Sequence, residues 1–371
     1  MKVLTLLGTR PEIIKLSSIM KKLDKSVEHI IVHTGQNYDY ELNEIFYGDL
    51  ELRKPDYFLN VGGGTLAETI AKILVETEKV LVKEKPNAIV ILGDTNSALG
   101  GIIAKRMKIP IFHLEAGNRC FDLNVPEEIN RMILDHIGDV NMVYTENSRR
   151  YLLAEGAPKD RTFIMGSPMK EIFNQYLPKI QASKILEELG YEFSEWGLKQ
   201  YFLVSIHRDE NTEIKENLMI LIDTLQAIVD KYNIPIIVTT HPRFRKKLDE
   251  LNIKLDDRIH LCKPFGFFDY VHLQINAKCV ITDSGTIAEE STILKFPAIT
   301  IRNAVERPEA VDVGSLLITG VDKENILQCL EIAKAPTVIP VDYNVDNCSD
   351  RVLNVILGYT PYVNKYVWHK R

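Results

Sequence analysis

Three carboxylates, Asp94, Glu115 and Glu127, stand at or just after the ends of apolar runs in the first half of the chain. The stretch "HLEAGNRCFDLNVPEEINR", residues 113–131, carries two of them beside an arginine and a glycine turn. Taken singly, each reads as a helix cap or a salt-bridge partner. If neighbouring strand ends bring all three to one pocket, like-charge crowding raises at least one pKa toward neutrality, which suits proton transfer beside a bound phosphate ester.

A second set of residues could seat an anion. In "GTRPEIIK", residues 8–15, Pro11 marks a helix start. Arg10 and Lys15 then lie near the positive end of the helix dipole, which favours either a bound anion nearby or a solvated basic face. In "DSGTIAEE", residues 283–290, Ser284 and Gly285 could turn backbone N–H groups toward a phosphate at a helix N-terminus. One turn on, Glu289 or Glu290 could accept hydrogen bonds from a ribose diol. An ordinary N-cap followed by solvated acids fits the same letters. His207-Arg208 and His241-Pro242-Arg243 end two further apolar runs. A His–Arg pair at such an edge suits a diphosphate, and a structural histidine is the plainer alternative.

Other motifs lead away from common chemistries. "VGGGTLA", residues 61–67, fits G-x-G-x-x-A. The preceding "PDYFLN" does not read as a buried strand, and no acid follows a second strand about 20 positions on. We read it as a glycine loop closing over a cleft, and nicotinamide chemistry loses its support. His113-x-Glu115 lacks a third ligand or a CxxC partner, so no metal is expected. Cys120, Cys262, Cys279, Cys329 and Cys348 form no CxxC pair and read as ordinary thiols.

The elements that must position these groups alternate. Short, β-branched apolar runs such as "KVLTLL", "AIVIL", "YFLVS" and "CVITD" are separated by amphipathic stretches of helical length. Runs apolar on both faces belong to parallel sheets covered by helices, so the fold class is α/β. Nearly every run ends in glycine or polar residues, and ligands of such sheets bind outside the carboxyl ends of the strands. With 371 residues, two lobes are expected. The mostly helical stretch from 168 to about 200 separates two groups of strands, so we set domains at 1–167 and 168–371, the C-terminal tail being able to pack back on the first. The echo between "VILGDTNSALGGIIAKRMKIPIFHLEAG" and "VITDSGTIAEESTILKFPAITIRNA" favours two similar Rossmann-like domains with a ligand in the cleft between them.

Composition narrows the partners. Hydrophobic residues make up 45% and charged residues 26%, as in globular proteins, so cores can be filled. A formal net charge of -6 offers no field to attract nucleic acid or an anionic membrane. No apolar run approaches the ~18 residues of a membrane span, and the N-terminus lacks a signal-peptide pattern. A cytoplasmic location is therefore expected.

Together, "GTRPEIIK", "TGQNYDYELNEIF", "LGDTNS", "HLEAGNRCF…VPEEINR", "IHRDEN", "THPR", "TDSGTIAEE" and "RNAVERPEAVDVG" resemble the non-hydrolysing UDP-N-acetylglucosamine 2-epimerase family, in order from residue 3 to about 320. The resemblance implies a GT-B fold of two Rossmann-like domains, a UDP-sugar substrate with UDP held mainly by the C-terminal domain and the sugar at the interdomain cleft, a homodimer, and neither cofactor nor metal. It also implies that Asp94, Glu115 and Glu127 are the catalytic acids and His207 an important histidine. Arg10 and Lys15 fall on active-site basic residues, and Ser284, Glu290 and Arg307 on the UDP-binding set. The chain departs from the commoner family pattern at Asn118, Asp209, Thr286 and Ala288. With "GQNYDYELNE" and "EAGNRCFD", these departures resemble the branch that converts UDP-2-acetamido-2,6-dideoxy-L-talose to UDP-N-acetyl-L-fucosamine for capsule or O-antigen precursors. The parent UDP-N-acetylglucosamine 2-epimerase activity is the alternative, ahead of a GT-B glycosyltransferase.

Overall fold

A computed structural model of the chain describes residues 1–35, 46–190, 200–240, 242–251 and 253–370. The apolar runs form two parallel sheets. In the first, β1 (Lys2–Leu7), β2 (Glu28–His33), β3 (Tyr57–Phe58), β4 (Ala88–Leu92), β5 (Ile111–Ala116), β6 (Val140–Val143) and β7 (Thr162–Ile164) take the order β3-β2-β1-β4-β5-β6-β7. In the second, β8 (Phe202–Ile206), β9 (Ile236–Thr240), β10 (Ile259–Cys262), β11 (Cys279–Thr282), β12 (Ala298–Thr300) and β13 (Leu317–Ile318) take the order β10-β9-β8-β11-β12-β13. The strand order reverses between β1 and β4 and again between β8 and β11, which are the topological switch points where ligands of doubly wound sheets bind.

Burial explains the unbroken apolar runs. Phe202, Val204 and Ile206 pack on one face of the second sheet with Leu221, Leu225 and Ile228 of helix Lys215–Tyr232. Leu203, between them, packs on the other face with Leu273, Ile287 and Phe296. The first sheet is likewise covered, with Val80 and Leu81 of helix Leu66–Glu84 against Leu4, Leu6, Ile89 and Ile91. The glycine stretch of residues 62–64 leads into this helix, whose N-terminus Thr65 and Glu68 close as a reciprocal capping box. Among the described residues no helix is long and apolar enough to cross a membrane.

The chain divides into Met1–Gln175 with Val341–Arg371, and Tyr176–Pro340. The first unit runs past the 167/168 boundary set from sequence and includes the C-terminal segment, which the sequence leaves able to pack back on the first domain. The reason is specific pairing within that unit. Asp342 accepts the Glu146 N–H at 2.9 Å, Ser349 Oγ donates to Glu171 at 2.5 Å, and Tyr359 meets Phe163 edge-on. Helix Cys348–Tyr362 packs along helix Arg10–Ser26.

Candidate active site

At the switch point of the first sheet, one buried carboxylate ties together the turns after β1 and β4. Glu12 Oε2 accepts the N–H groups of Gly8 and Thr9, both at 2.7 Å, and Oε1 accepts the Thr95 hydroxyl at 2.8 Å. Thr9 and Glu12 form the capping box of helix Arg10–Ser26. Burial pushes the Glu12 carboxyl up to about 7, against hydrogen bonds from Gly8, Thr95 and Thr9 that act the other way. A carboxyl raised in the folded state binds its proton more tightly there than in the unfolded chain. Its contribution to stability is full below about pH 4.5 and is lost as pH rises through about 7. Glu12→Gln, which carries no charge, should therefore gain stability relative to wild type between pH 5 and 8, by roughly 3 kcal/mol at most. Thermal melts of both proteins across that range test this, and a constant difference would count against it.

Asp94 follows Gly93, whose φ of +73° turns the chain out of β4. Its Oδ2 accepts from Arg131 Nε at 2.8 Å and pairs with Nη2 at 2.6 Å. Arg131 also reaches Glu128 at 2.9 Å, and Glu128 accepts the N–H groups of Cys120 and Phe121, pinning the loop that follows β5. Glu115 sits where β5 and β6 shift register, with a φ of +62°. A non-glycine residue in the left-handed region is strained, and bulges of this kind re-aim side chains beside active sites. The buried Glu115 carboxylate meets Lys15 Nζ at 2.6 Å and accepts from Asn118 Nδ2 at 3.3 Å. Asn118 in turn accepts from Ser148 Oγ at 3.0 Å.

Glu127 stands exposed in the first turn of helix Pro126–Ile137, while its neighbour Glu128 is buried. Arg10 begins its helix with the guanidinium 5.8 Å from the centre of the Phe46 ring. His113 is fully buried, with Nε2 2.9 Å from the Gly93 carbonyl and Nδ1 2.9 Å from Asp135, whose carboxylate also takes the Gly117 N–H and Arg119. It therefore braces the strand ends. The structure thus brings Lys15 to Glu115 and Arg131 to Asp94, giving each of these acids a cation. Glu12, outside the sequence candidates, is a carboxyl that desolvation raises toward neutrality.

The second sheet repeats the device. Asp283, fully buried after β11, accepts the N–H groups of His207 and Arg208 from the turn after β8, at 3.1 and 3.0 Å. It also takes Asn211 Nδ2 at 2.9 Å and pairs with His207 Nδ1 at 2.8 Å. These partners hold the Asp283 carboxyl below its usual range although burial acts to raise it. Ser284 and Gly285 follow, and the Gly285 carbonyl accepts from Arg307 Nη1 at 2.7 Å. A Cβ on Gly285 would lie 2.8 Å from that nitrogen, so a larger residue there would displace the Arg307 tip. Arg307 also pairs with Glu289 at 3.1 Å, and Arg208 lies 3.7 Å from Glu306, which Arg302 binds at 2.7 Å. Glu290 accepts from Thr286 Oγ1 at 2.7 Å and Gln274 Nε2 at 2.6 Å.

Ser284, Gly285, Glu290, Arg307, Arg208 and His207 are therefore joined through short bonded paths. His241 lies outside the described residues, as does the stretch Asn37–Glu44. Glu12, Arg131, Asp283 and Asn211 were not among the sequence candidates. The signal for the carboxylates was present in their places, three residues after an N-cap threonine and directly after an apolar strand.

Each switch point is thus a turn rigidified by a buried carboxylate, one beside paired acids and the other beside a histidine, arginines and a glycine turn. The sequence model of the UDP-N-acetylglucosamine 2-epimerase family matches residues 21–357. The UDP-N-acetylglucosamine 2-epimerase of Methanocaldococcus jannaschii is 40% identical over 339 residues, 90% of this chain and 92% of that protein. A solved structure of UDP-N-acetylglucosamine 2-epimerase from Rickettsia bellii matches with a TM-score of 0.92 and 46% identity over 100% of both chains. That of the M. jannaschii UDP-GlcNAc 2-epimerase in complex with UDP-GlcNAc and UDP gives 0.87 and 37%, over 96% of this chain and 100% of that one. The fold is GT-B. Matched by the family's sequence model over most of its length and by these relatives, the chain belongs to the UDP-N-acetylglucosamine 2-epimerase family.

Proposed function

We propose that the protein inverts C2 of a UDP-2-acetamido sugar, interconverting UDP-N-acetylglucosamine and UDP-N-acetylmannosamine. The C2–H bond is not next to a carbonyl, so direct deprotonation is too unfavourable. Breaking the anomeric C–O bond, with its electron pair leaving on the UDP oxygen, makes C1 oxocarbenium-like. A carboxylate then takes the C2 proton and a 2-acetamidoglycal remains. Returning UDP to C1 while a proton reaches the opposite face of C2 completes the inversion. Such a reaction needs carboxylates for the two faces and cations for the departing diphosphate.

The observation that carries this reading is Glu115, held in a strained left-handed conformation at a strand bulge and paired with Lys15. In our assignment Asp94, Glu115 and Glu127 serve proton transfer, with Arg10 and Lys15 beside them. Ser284, Gly285, Glu290 and Arg307 seat UDP, and His207, Arg208 and His241 face the diphosphate. The names of the relatives support UDP-N-acetylglucosamine as the sugar nucleotide. UDP-2-acetamido-2,6-dideoxy-L-talose is the second candidate substrate, because two departures from the commoner pattern touch site residues: Asn118 bonds Glu115, and Thr286 bonds Glu290. A homodimer fits the apolar side chains Val75, Val82, Ile129, Met132 and Ile133 that helices Leu66–Glu84 and Pro126–Ile137 leave exposed.

Incubation with each UDP-sugar in deuterated water tests the proposal. Deuterium should enter at C2 while the nucleotide sugar is conserved, with the higher kcat/KM for UDP-N-acetylglucosamine. A higher value for the L-talose derivative would select the second substrate. Transfer of the sugar to an acceptor without C2 exchange would instead identify a glycosyltransferase.

A further inference from the structure

We infer that Asp283 is a positioning residue for His207, fixing the imidazole as its Nδ1–H tautomer so that Nε2 alone exchanges protons with a ligand. This rests on the reading above only in taking His207 to act on the bound diphosphate. The carboxylate accepts three N–H groups through four hydrogen bonds at 2.9–3.2 Å in addition to the ring contact: His207 N to both oxygens, Arg208 N, and Asn211 Nδ2. An ionised carboxylate only accepts, so the ring nitrogen 2.8 Å from Oδ1 must carry its proton. The ring's opposite nitrogen, Nε2, is left with the lone pair in the neutral form. The His207 side chain is 54% exposed while that of Asp283 is fully buried, so one member of the pair is available to a ligand and the other is locked in the fold.

The location gives the pair its consequence. His207 follows β8 and Asp283 follows β11, the two strands flanking the switch point of the second sheet. The same carboxylate thus holds both the backbone of the His207–Arg208 turn and the ring, so rotation of the imidazole away from its working direction breaks the Nδ1 contact. A histidine oriented by a buried carboxylate is the arrangement in which the carboxylate selects tautomer and direction without exchanging a proton itself.

Asp283→Asn separates these effects. The amide oxygen can keep the backbone N–H bonds, but an amide N–H set against Nδ1 demands the opposite tautomer. Chains labelled with 15N-histidine contain nine histidines, and His207→Gln identifies the His207 signal by its loss. We expect the Nδ1–H tautomer in the wild type and the Nε2–H tautomer in Asp283→Asn, with kcat for C2 exchange reduced at least about 100-fold and KM changed little. Asn211→Ala removes a bond to the same carboxylate without facing the ring, and should leave the tautomer as in the wild type. An Nε2–H tautomer in the wild type, or a switched tautomer in Asp283→Asn with kcat unchanged, would overturn the assignment. A wild-type chain inactive on every UDP-sugar would bring down the proposed reaction instead, and the tautomer signals would still decide what Asp283 does.

Discussion

Asp94→Asn is expected to slow epimerisation at least about 100-fold, the scale of a positioned acid or base, while the fold and UDP affinity are kept. Both Arg131 contacts go to the same oxygen of Asp94, Oδ2. The amide oxygen of asparagine can occupy that place, so the guanidinium keeps an acceptor and the loop stays anchored. What disappears is the ability to take and return a proton. Glu127→Gln should fall by a similar factor at no structural cost, because Glu127 is exposed on the first turn of its helix. Initial rates of C2 deuterium incorporation, with calorimetry of UDP binding as a control, provide the measurement. A slowed variant should also release UDP and glycal, since the intermediate then escapes before it is reprotonated. Wild-type rates in both variants would remove proton transfer from these carboxylates.

The layered fold was legible because burial on both faces writes itself locally. The run at Ala88–Leu92 is apolar throughout, and those at Val3–Leu7 and Phe202–Ile206 are broken only by Thr5 and Ser205, a pattern that suits a covered parallel sheet. Polar residues at the strand ends likewise marked the carboxyl edges on which the candidate site is built. Pairings across long stretches of chain left no such mark. Cys348 bonds the Gly166 carbonyl 182 residues away, and nothing local to either residue assigns the C-terminal helix to the first unit. Glu12 could be read as a capping acid, but its bond to Thr95, 83 residues on, could not. Asp283 was visible as a strand-end acid, and its partner turn lies 76 residues earlier. The left-handed conformation of Glu115 depends on the register between β5 and β6, a property of two strands together. Thus the residue types of the site were readable, while the bonds that orient them belong to the tertiary structure.

Glu115→Gln should lose turnover as Asp94→Asn does, but it should also destabilise the protein by about 3–5 kcal/mol, as expected when one member of a buried ion pair is removed. The two side chains are each only 7% exposed, and the Lys15 ammonium would be left against a neutral amide. Lys15→Met in the same chain removes the stranded charge, so the double variant should recover most of that stability and none of the activity. The pair is thus separable into a folding contribution, which an apolar substitute can replace, and a chemical one, which it cannot. Denaturant melts of the wild type, both single variants and the double variant close the cycle. A coupling energy near zero would mean that Lys15 and Glu115 are solvated independently, and the Lys15 contact would no longer explain how a carboxylate is held in a strained backbone conformation at the end of β5.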